Sequence, residues 1–372
     1  MSDLLVTTHT PVLRSGQTMR TYGIARALAS GGGTVKLLYA RFEGAAPDEA
    51  FRSIPGVELH EVRPSRGARR AVTYAGARLA GMPLGFARGV SPELIDAAAR
   101  LAPEPGDGRV IADGPIAAAA LRGLARRRPV IYNAHNIESS FRGDIGTHGS
   151  ERQMRKFERG LLRRAAESWM VSEADLAAAA ELCPGARLRY VPNVVDVDAI
   201  RPVAQPANEQ RAVFVANFSY PPNSKGLAFL LDRVMPRVWE RLPAARLRLV
   251  GAGLELTGGA DERVEAVGFV EDLRDAYEGA RCALVPLLTG GGTPLKFVEA
   301  LAYGLPVLAT PRAAAGLAVT AGRDCVLADG ESEFADALVE LLERGAPEIG
   351  ARGRELARER YSIEALTRLL AQ

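Results

Sequence analysis

Short apolar runs alternate with helical patterns from one end of the chain to the other, and no other feature of the sequence constrains the fold as strongly. This alternation is typical of parallel β-sheets whose crossover helices cover both faces. In the first half we predict strands in seven runs: LLVTT (4–8), TVKLLYA (34–40), GVELHEV (56–62), RVIAD (109–113), PVIYNAH (129–135), SWMVS (168–172) and RLRYVPN (187–193).

The pattern starts again after RPVAQPANEQ (201–210), a segment rich in proline and polar residues that is typical of an inter-domain linker. Six further strands are predicted beyond it: AVFVANF (212–218), ARLRLVGAG (245–253), VEAVGFV (264–270), CALVPLL (282–288), LPVLAT (305–310) and CVLAD (325–329). A chain of 372 residues also exceeds one ordinary core of about 100–200 residues. We therefore predict an α/β protein with two Rossmann-like, doubly wound domains, residues 1–198 and 199–372. The two domains should face each other across a cleft, with ligands beyond the carboxyl ends of the strands.

Composition favours a soluble globular protein. Hydrophobic residues make up 47% of the chain, and no apolar run approaches the roughly 20 residues needed to cross a bilayer. The opening MSDLLVTTHTP lacks the basic segment and long apolar stretch of a secretion signal, and it resembles a first strand. Three widely spaced cysteines fit a reducing compartment better than a disulfide framework. We expect a cytoplasmic protein, and the Arg and Ala bias suggests a GC-rich bacterial genome.

The first half of the chain is mildly basic, with 27 Lys and Arg against 21 Asp and Glu in residues 1–200, compared with 20 against 23 in residues 201–372. Basic residues cluster at 126–128 and, with helical spacing, over 152–164. Such a segment can be an ordinary solvated helix face, or a surface that contacts an anionic membrane at the inner face or a phosphorylated acceptor. Nucleic acid is not expected as a partner, because the basic residues are not interleaved with aromatic ones and no binding-module signature is present.

Three consecutive glycines, Gly290, Gly291 and Gly292, stand directly between a predicted strand and a helical pattern. Glycines at such a junction let backbone N–H groups approach a ligand closely, and the start of a helix favours an anion. We therefore predict a phosphate site here, with Thr293 capping the helix and Pro294 in its first turn.

Two charged residues on this predicted helix extend the phosphate hypothesis. Lys296 is one of only four lysines in a chain with 43 arginines. Because the composition strongly favours arginine, a lysine at this position suggests a specific role. One turn into the helix, its ammonium could reach a diphosphate as a compact charge. Glu299 follows three residues later and could accept hydrogen bonds from two ribose hydroxyls.

The segment GGGTPLKFVEALAYGLPVLAT (290–310) resembles the donor-site signature of retaining, GT-B-fold glycosyltransferases of family 4 (glycosyl transferases group 1 type). The resemblance extends over nearly the whole chain, through SGQTMRTYGIARALA (15–29), NAHNIE (133–138), VPNVVD (191–196), FVANFSYPPNSKG (214–226), LVGAG (249–253), VGFVEDL (267–273) and YSIEALTRLL (361–370). It implies that a sugar is transferred from a nucleotide-diphosphate-sugar to an acceptor hydroxyl with retention of configuration. It also implies that residues from about 357 to 372 return to the N-terminal domain.

The resemblance implies that the C-terminal domain binds the donor. The amides of 290–293 would hold the diphosphate, Glu299 the ribose, and the strand end at 267–270 the base. The donor residues are then Asn217, Phe269, Val270, Gly290, Gly291, Gly292, Thr293, Leu295 and Glu299, and the catalytic residues are His135, Lys225 and Lys296.

The acceptor would bind mainly to the N-terminal domain, where Gly16, Arg20, Asn136 and Glu138 are candidate contacts. For Asn136 and Glu138, helix capping is an equally good interpretation. The first glutamate of the family's Glu-x7-Glu motif falls on Gly291, which leaves the identity of the sugar open. The acceptor can be a glycan for a cell-surface polysaccharide, a glycolipid or a secondary metabolite.

The sequence leaves three alternatives open. A metal-dependent transferase is suggested by Asp196 and Asp198, an Asp-x-Asp pair, but the pair precedes the linker instead of lying inside a nucleotide-binding sheet. The second alternative is a sugar-nucleotide epimerase or phosphorylase with the same fold. The third is a non-catalytic sugar-nucleotide-binding partner. We expect no metal and no other cofactor.

Overall fold

The computed structural model describes residues 2–13, 15–42, 44, 46–140, 150–206, 208–254, 261–290 and 292–372. The chain divides into two compact units. The first consists of Met1–Asn193 together with Ile363–Gln372, and the second of Val194–Ser362.

The first unit is built on a parallel sheet with the strand order β3-β2-β1-β4-β5-β6-β7. Its central strands are buried on both faces, as the fully buried Leu4, Leu5 and Leu37 show, and this explains their nearly continuous apolar sequences. The strand order reverses between β1 and β4. The strands are β1 (Ser2–Thr7), β2 (Thr34–Ala40), β3 (Val57–Val62), β4 (Val110–Asp113), β5 (Ile131–Asn133), β6 (Glu167–Met170) and β7 (Leu188–Tyr190).

Eight helices connect these strands in the described part of the first unit. Helix α1 begins with a capping box, in which the Ser15 side chain accepts from the Thr18 amide and the Thr18 side chain accepts from the Ser15 amide. The helices are α1 (Gly16–Ser30), α2 (Glu49–Arg52), α3 (Ala68–Leu79), α4 (Leu84–Ala87), α5 (Pro92–Leu101), α6 (Gly114–Ala120), α7 (Glu151–Arg164) and α8 (Glu173–Leu182), with 3₁₀ turns at Leu124–Arg126 and Glu138–Ser140.

The second unit repeats this architecture around a parallel sheet with the order β10-β9-β8-β11-β12-β13, which reverses between β8 and β11. The strands are β8 (Arg211–Val215), β9 (Arg246–Val250), β10 (Val264–Gly268), β11 (Cys282–Val285), β12 (Val307–Ala309) and β13 (Val326–Leu327). The helices are α9 (Pro221–Phe229), α10 (Met235–Arg241), α11 (Leu273–Tyr277), α12 (Leu295–Ala302), α13 (Pro311–Ala314), α14 (Gly330–Arg344) and α15 (Pro347–Arg360), with a π-helical turn, Leu230–Val234, between α9 and α10.

The last helix of the chain, α16 (Ile363–Leu370), belongs to the first unit, where it packs on α1. The Thr367 hydroxyl donates a hydrogen bond to the Ala27 carbonyl at 3.2 Å, and the Arg109 guanidinium donates to the Leu370 carbonyl at 2.9 Å. The chain therefore returns to its first unit after completing the second. Among the helices that the structure describes, none combines the length and the apolar character needed to cross a bilayer.

A glycine fixes the spacing of two strands in the second unit. Gly251 follows β9 with φ 138°, and a Cβ atom there would lie 1.8 Å from the Ala216 carbonyl oxygen. Gly268, at the end of neighbouring β10, also has a positive φ of 77°, but nothing lies within 4 Å of the position of its Cβ. The two glycines thus share the backbone constraint, and only Gly251 adds a close backbone approach.

We expect Gly251→Ala to lower the free energy of unfolding by about 3 kcal/mol, because the methyl group adds a backbone clash to the cost of positive φ. The matched variant Gly268→Ala should lose only about 1 kcal/mol, the cost of positive φ alone. Urea unfolding of both variants measures the difference. Equal losses would show that the contact with Ala216 does not constrain the sheet.

Candidate active site

The starts of α9 and α12 lie side by side at the carboxyl edge of the second sheet. They follow β8 and β11, the neighbouring strands between which the strand order reverses. The Lys296 ammonium on α12 donates a hydrogen bond to the Asn223 side-chain oxygen on α9, at 2.7 Å. Ligands of open α/β sheets bind at such a reversal, because helices leaving opposite faces open a crevice there. This is the candidate site of the second unit.

Glycines allow the two segments to approach each other. A Cβ atom on Gly226 would lie 2.7 Å from the Pro286 carbonyl oxygen, and one on Gly290 would lie 3.3 Å from Pro222 Cγ. Any larger residue at Gly226 would therefore push α9 away from the segment that follows β11.

Two residues of the glycine segment have backbone conformations that favour glycine. Gly290 and Gly292 have φ values of 98° and 72°, in the region that favours glycine. The Arg312 Nε donates a hydrogen bond to the Gly290 carbonyl oxygen at 2.8 Å, which holds the segment from the side of α13. Gly291, a predicted donor contact, lies outside the described residues.

The predicted cap of α12 is wrong. Helix α12 begins at Leu295, and Pro294 occupies the N-cap position without a side-chain cap. The Thr293 hydroxyl instead donates to the Gly316 carbonyl oxygen at 3.4 Å. Thr293 and Leu295 are only 6% and 8% exposed, so their side chains pack inside the unit and only their backbone groups remain candidates for a ligand contact.

Lys296 and Glu299 lie on one buried side of α12 and influence each other's charge. Burial raises the pKa of the Glu299 carboxyl to about 7, although the Lys296 ammonium works in the opposite direction. Burial likewise lowers the pKa of Lys296 to about 8, against the effect of Glu299. Glu299 is 7% exposed, and within the described part of the chain its carboxylate accepts no hydrogen bond. It is therefore a buried acceptor with capacity for hydroxyl donors.

The segment after β8 is held by Asn223, a residue that sequence reasoning missed. Its side-chain amide donates to the Asn217 carbonyl oxygen at 2.7 Å while its oxygen accepts from Lys296. The Asn217 side chain accepts from the Ser219 amide at 3.0 Å and is itself exposed. Lys225 is exposed on α9, two residues beyond Asn223. The only signal for Asn223 was its position in the helix start that precedes Lys225.

The residues predicted to contact the base lie beyond β10. Phe269 is 70% exposed, which is unusual for a large aromatic side chain, and Val270 is half-buried. Strand β10 is separated from β11 by β9 and β8 in the sheet. The structure thus places the predicted phosphate and base contacts along one edge of the same sheet.

In the first unit, a buried carboxylate organises the carboxyl edge. Asp113 ends β4 and is 1% exposed. Its oxygens contact His135 Nε2 at 2.8 Å and accept from Asn133 Nδ2 at 2.7 Å and the Thr21 hydroxyl at 2.5 Å. Burial opposes its charge, but the His135 ring and these hydrogen bonds together lower the pKa of Asp113. Sequence reasoning missed Asp113, although its place at the end of a buried strand was a usable signal.

His135 therefore has one ring nitrogen engaged and one available. With Nε2 bound to Asp113, the buried Nδ1 has no hydrogen-bond partner within the described residues. If Nε2 carries the proton, Nδ1 is an acceptor. The ring is packed against Gly114, where an added Cβ atom would lie 3.0 Å from His135 Cε1. The surroundings thus fix the ring orientation, and no side chain or backbone group of the described residues pairs with Nδ1.

Arg20, predicted to contact an acceptor, is 3% exposed and lies inside this network. Its guanidinium donates to the Asn133 side chain at 2.6 Å and 3.0 Å, to the Val191 carbonyl at 2.8 Å and to the Asn193 side chain at 3.1 Å. Burial lowers its pKa to about 10. The structure therefore gives Arg20 a positioning role for the strand ends. Gly16 is exposed as the first residue of α1.

The segment after His135 is held by buried carboxylates. The amides of Glu138 and Ser139 donate to the Glu158 carboxylate at 2.6 Å and 3.1 Å, and the Ile137 amide donates to Asp175 at 2.8 Å. Asn136 and Glu138 are half-buried in this segment. Burial raises the pKa of Glu138, and it raises that of Glu158 to about 7.

The Asp-x-Asp pair makes contacts within the second unit. The Asp198 carboxylate pairs with Arg358 at 3.3 Å, and the Asp196 side chain accepts from the Ala199 amide at 3.3 Å. Within the described ranges, no group of three or more His, Cys, Asp or Glu side chains could hold a metal ion.

Comparison with known sequences gives a family match for the second unit. Residues 209–344 match the model of the family Glycosyl transferases group 1. Over 264 residues the chain is 28% identical to a GDP-mannose-dependent alpha-(1-6)-phosphatidylinositol monomannoside mannosyltransferase of Mycobacterium tuberculosis, covering 60% of this chain and 67% of that protein.

Solved structures resemble the chain over its whole length. Sucrose-phosphate synthase from Thermosynechococcus elongatus has a TM-score of 0.76 and 18% identity, covering 100% of this chain and 97% of that one. Anabaena HepE in complex with UDP and glucose has a TM-score of 0.70 and 19% identity, covering 100% and 98%. At these identities the likeness establishes the fold alone, and it confirms the predicted α/β fold class.

The buried Glu158 makes stability depend on pH. Because folding raises its pKa from 4.5 to about 7, the folded state binds more protons in that interval, and the free energy of unfolding falls as pH rises through it. Glu158→Gln abolishes this contribution. Between pH 4.5 and pH 8 the variant should therefore gain about 3 kcal/mol relative to the wild type.

Urea unfolding at several pH values measures that difference, because the other titrating groups cancel between the two proteins. The exposed control Glu104→Gln should give a difference that is nearly independent of pH. A pH-independent difference for Glu158→Gln as well would contradict the raised pKa.

Proposed function

From the premise that the second unit of this chain is a glycosyl transferases group 1 domain, we propose that the protein transfers a sugar from a nucleotide-diphosphate-sugar to an acceptor hydroxyl with retention of configuration. The observation that carries the proposal is the pairing of Lys296 with Asn223 beside the glycine segment. An ammonium, two glycines with positive φ and a helix start converge there, and together they suit a diphosphate.

The donor then extends from this phosphate site in both directions. The amides of Gly290, Gly292 and Thr293 receive the diphosphate, and Lys225 reaches it from α9. Glu299 accepts the ribose hydroxyls, since its carboxylate is buried without a hydrogen bond among the described residues. The exposed Phe269 offers a face on which a base can stack.

The transfer step needs no protein nucleophile. The bond between the anomeric carbon and the diphosphate oxygen breaks, and its electron pair leaves with the diphosphate. The acceptor oxygen forms the new bond from the same face, which retains configuration, and its proton passes to the departing diphosphate. Lys225 and Lys296 stabilise the negative charge that develops, at about 1.5–3 kcal/mol for each charge-assisted hydrogen bond. With two ammonium groups supplying this charge, we propose that no metal is required.

The acceptor belongs to the first unit in this proposal. His135 Nδ1, Asn136 and the exposed start of α1 at Gly16 are the candidate contacts. The relative that acts on phosphatidylinositol monomannoside favours a glycolipid acceptor among the glycan, glycolipid and metabolite alternatives. A cytoplasmic enzyme at the inner face of a bacterial membrane, acting in glycolipid or polysaccharide synthesis, is the setting we propose.

A non-catalytic nucleotide-sugar-binding partner and an epimerase of the same fold are the remaining alternatives. A thermal-shift panel of nucleotide-sugars identifies the donor, because binding to the folded state raises the melting temperature. With that donor and candidate acceptors, a transferase releases nucleoside diphosphate in proportion to glycosylated product. A binding partner releases none, and an epimerase converts the donor without an acceptor.

We expect Lys296→Ala to lower kcat about tenfold to a hundredfold, the loss of one charge-assisted hydrogen bond to the leaving group. The affinity for the nucleoside itself should change little, because the base and ribose contacts remain. The control Lys36→Ala removes a lysine from strand β2 and should leave kcat unchanged. An unchanged kcat in Lys296→Ala would remove Lys296 from the catalytic residues.

The pKa of Glu299 predicts a pH dependence for nucleoside diphosphate binding. The carboxyl has a pKa of about 7 and accepts ribose hydroxyls best when ionised. The affinity should therefore rise on the order of tenfold between pH 6 and pH 7.5. In Glu299→Gln the affinity for nucleoside diphosphate, measured by calorimetry, should no longer rise between these pH values. The exposed control Glu355→Gln should show the same rise as the wild type. An unaltered profile in Glu299→Gln would exclude the ribose contact.

A further inference from the structure

The first unit contains a cavity that the proposed transfer does not use. It has a volume of about 660 Å³ and lies between α3, α6 and α7. Its wall is mainly apolar, with Ala77, Ala118, Val130, Leu161 and Phe157 among the lining residues. This volume is within the range of small-molecule sites, about 300–1,000 Å³.

The cavity lies toward the amino end of the sheet. Val130 directly precedes β5 and Ala165 lies two residues before β6, and both line the cavity. His135 follows the opposite, carboxyl end of β5. Ligand in this cavity would therefore bind away from the network around Asp113.

The charged residues that line the cavity, in the part of the chain that the structure describes, are all basic. Among the described residues, no acidic side chain lines the cavity and five cationic ones do: Arg122, Lys156, Arg159, Arg163 and Arg164. None of these five forms an ion pair within the described ranges. Two of them donate to backbone carbonyls, Arg159 to Leu182 at 2.9 Å and Arg164 to Gly160 at 2.7 Å. The exposed side chains of the other three make no hydrogen bond in the described part of the chain, so they can receive an anion.

Helix α3, which forms one wall, is unusually exposed for a helix that carries large apolar residues. Ala77 is its only buried residue, while Val72 and Leu79 are 71% and 90% exposed. A second cavity of about 270 Å³ lies along α3 between Arg66, Arg70 and Arg88. Arg69 of α3 pairs with Asp96 at 2.9 Å. A helix with exposed apolar side chains and further arginines beside it suits the interface of an anionic membrane.

We propose that this cavity binds one acyl chain of an anionic phospholipid in a bilayer. The phosphate of the lipid contacts Arg122, Lys156 and Arg163, and Val72 and Leu79 enter the acyl layer beside it. The charges at the cavity favour this occupant. A mainly apolar cavity whose charged residues, among those described, are all basic matches an apolar chain attached to an anion. A purely apolar ligand would leave these basic residues unpaired, and a soluble anion would not fill the interior.

The inference goes beyond the proposed transfer and does not use its donor groups. It assigns the basic residues of α7 to lipid binding, one of the two interpretations of their helical spacing. It also defines the face of the first unit that contacts the membrane.

Gly76→Leu tests the cavity directly. Gly76 lines the cavity from α3, and a Cβ atom there would meet only the Arg122 guanidinium, at 3.9 Å. The Cβ atom of the leucine therefore makes an ordinary van der Waals contact with a flexible side chain and no backbone clash, and the leucine replaces a residue that disfavours helices. It leaves every charge that lines the cavity in place.

Binding is measured by co-sedimentation of the full-length protein with phosphatidylglycerol-containing vesicles and with pure phosphatidylcholine vesicles. The wild type should bind the anionic vesicles at least about tenfold more tightly, since each basic residue near an anionic surface adds to the attraction. Gly76→Leu, and separately the triple variant Arg122→Ala/Lys156→Ala/Arg163→Ala, should each weaken this binding about tenfold or more. The exposed control Arg246→Ala/Arg352→Ala/Arg360→Ala loses the same charge and should bind as the wild type does.

A second measurement separates the cavity from general surface attraction. Short-chain phosphatidylglycerol below its micelle concentration should bind the wild type saturably with one site, and Gly76→Leu should abolish this site. If vesicle binding weakens with salt but Gly76→Leu leaves it unchanged, the acyl-chain site is wrong. A charged surface alone would then account for the binding. If the wild type does not bind vesicles, the proposal of a lipid ligand is wrong. It is also wrong if the wild type dimerises and Gly76→Leu abolishes the dimer.

Nucleoside diphosphate binding by the same preparations keeps the two proposals apart. If nucleotide binds and vesicles do not, the lipid inference alone fails. If vesicles bind and no nucleotide does, the proposed transfer alone fails.

Discussion

The reversal of strand order between β8 and β11 is the constraint on which the candidate site of the second unit depends. Helices α9 and α12 leave the sheet there, and their starts meet through the hydrogen bond from Lys296 to Asn223. The close packing of Gly226 against Pro286 allows that approach. The position of the Lys296 ammonium thus follows from the strand order of the sheet and from the glycine that lets the two helix starts approach each other.

Desolvation shifts the pKa values of the two charged residues in this site. Lys296 and Glu299, three residues apart on one helix, are shifted by burial toward their neutral forms, with pKa values of about 8 and about 7. Groups in this range respond to a bound diphosphate or ribose, because a small electrostatic change alters their charge. Asn223 supplies a neutral oxygen for Lys296, so the ammonium is positioned without being neutralised by a carboxylate.

The first unit uses buried polar groups differently. Asp113 gathers His135, Asn133 and Thr21, and Arg20 joins the network through Asn133. Removing one member of such a network leaves a buried group unsatisfied, which costs more than the bond itself contributed. The network therefore fixes the orientation of the His135 ring, whereas the cavity beside α3 is lined mainly by apolar residues.

The sequence by itself determined the α/β class, the two sheets of seven and six strands, and the glycine segment beside β11. These features are local, since the apolar period and the glycines can each be recognised in short segments. Only the tertiary structure decided what Thr293 and Arg20 contact, and that Asn223 and Asp113 organise the two edges. Their partners are up to 173 residues away in the chain, as for Arg20 and Asn193. No local pattern specifies which buried polar groups pair over such distances, because the pairing is set by the packing of the whole sheet.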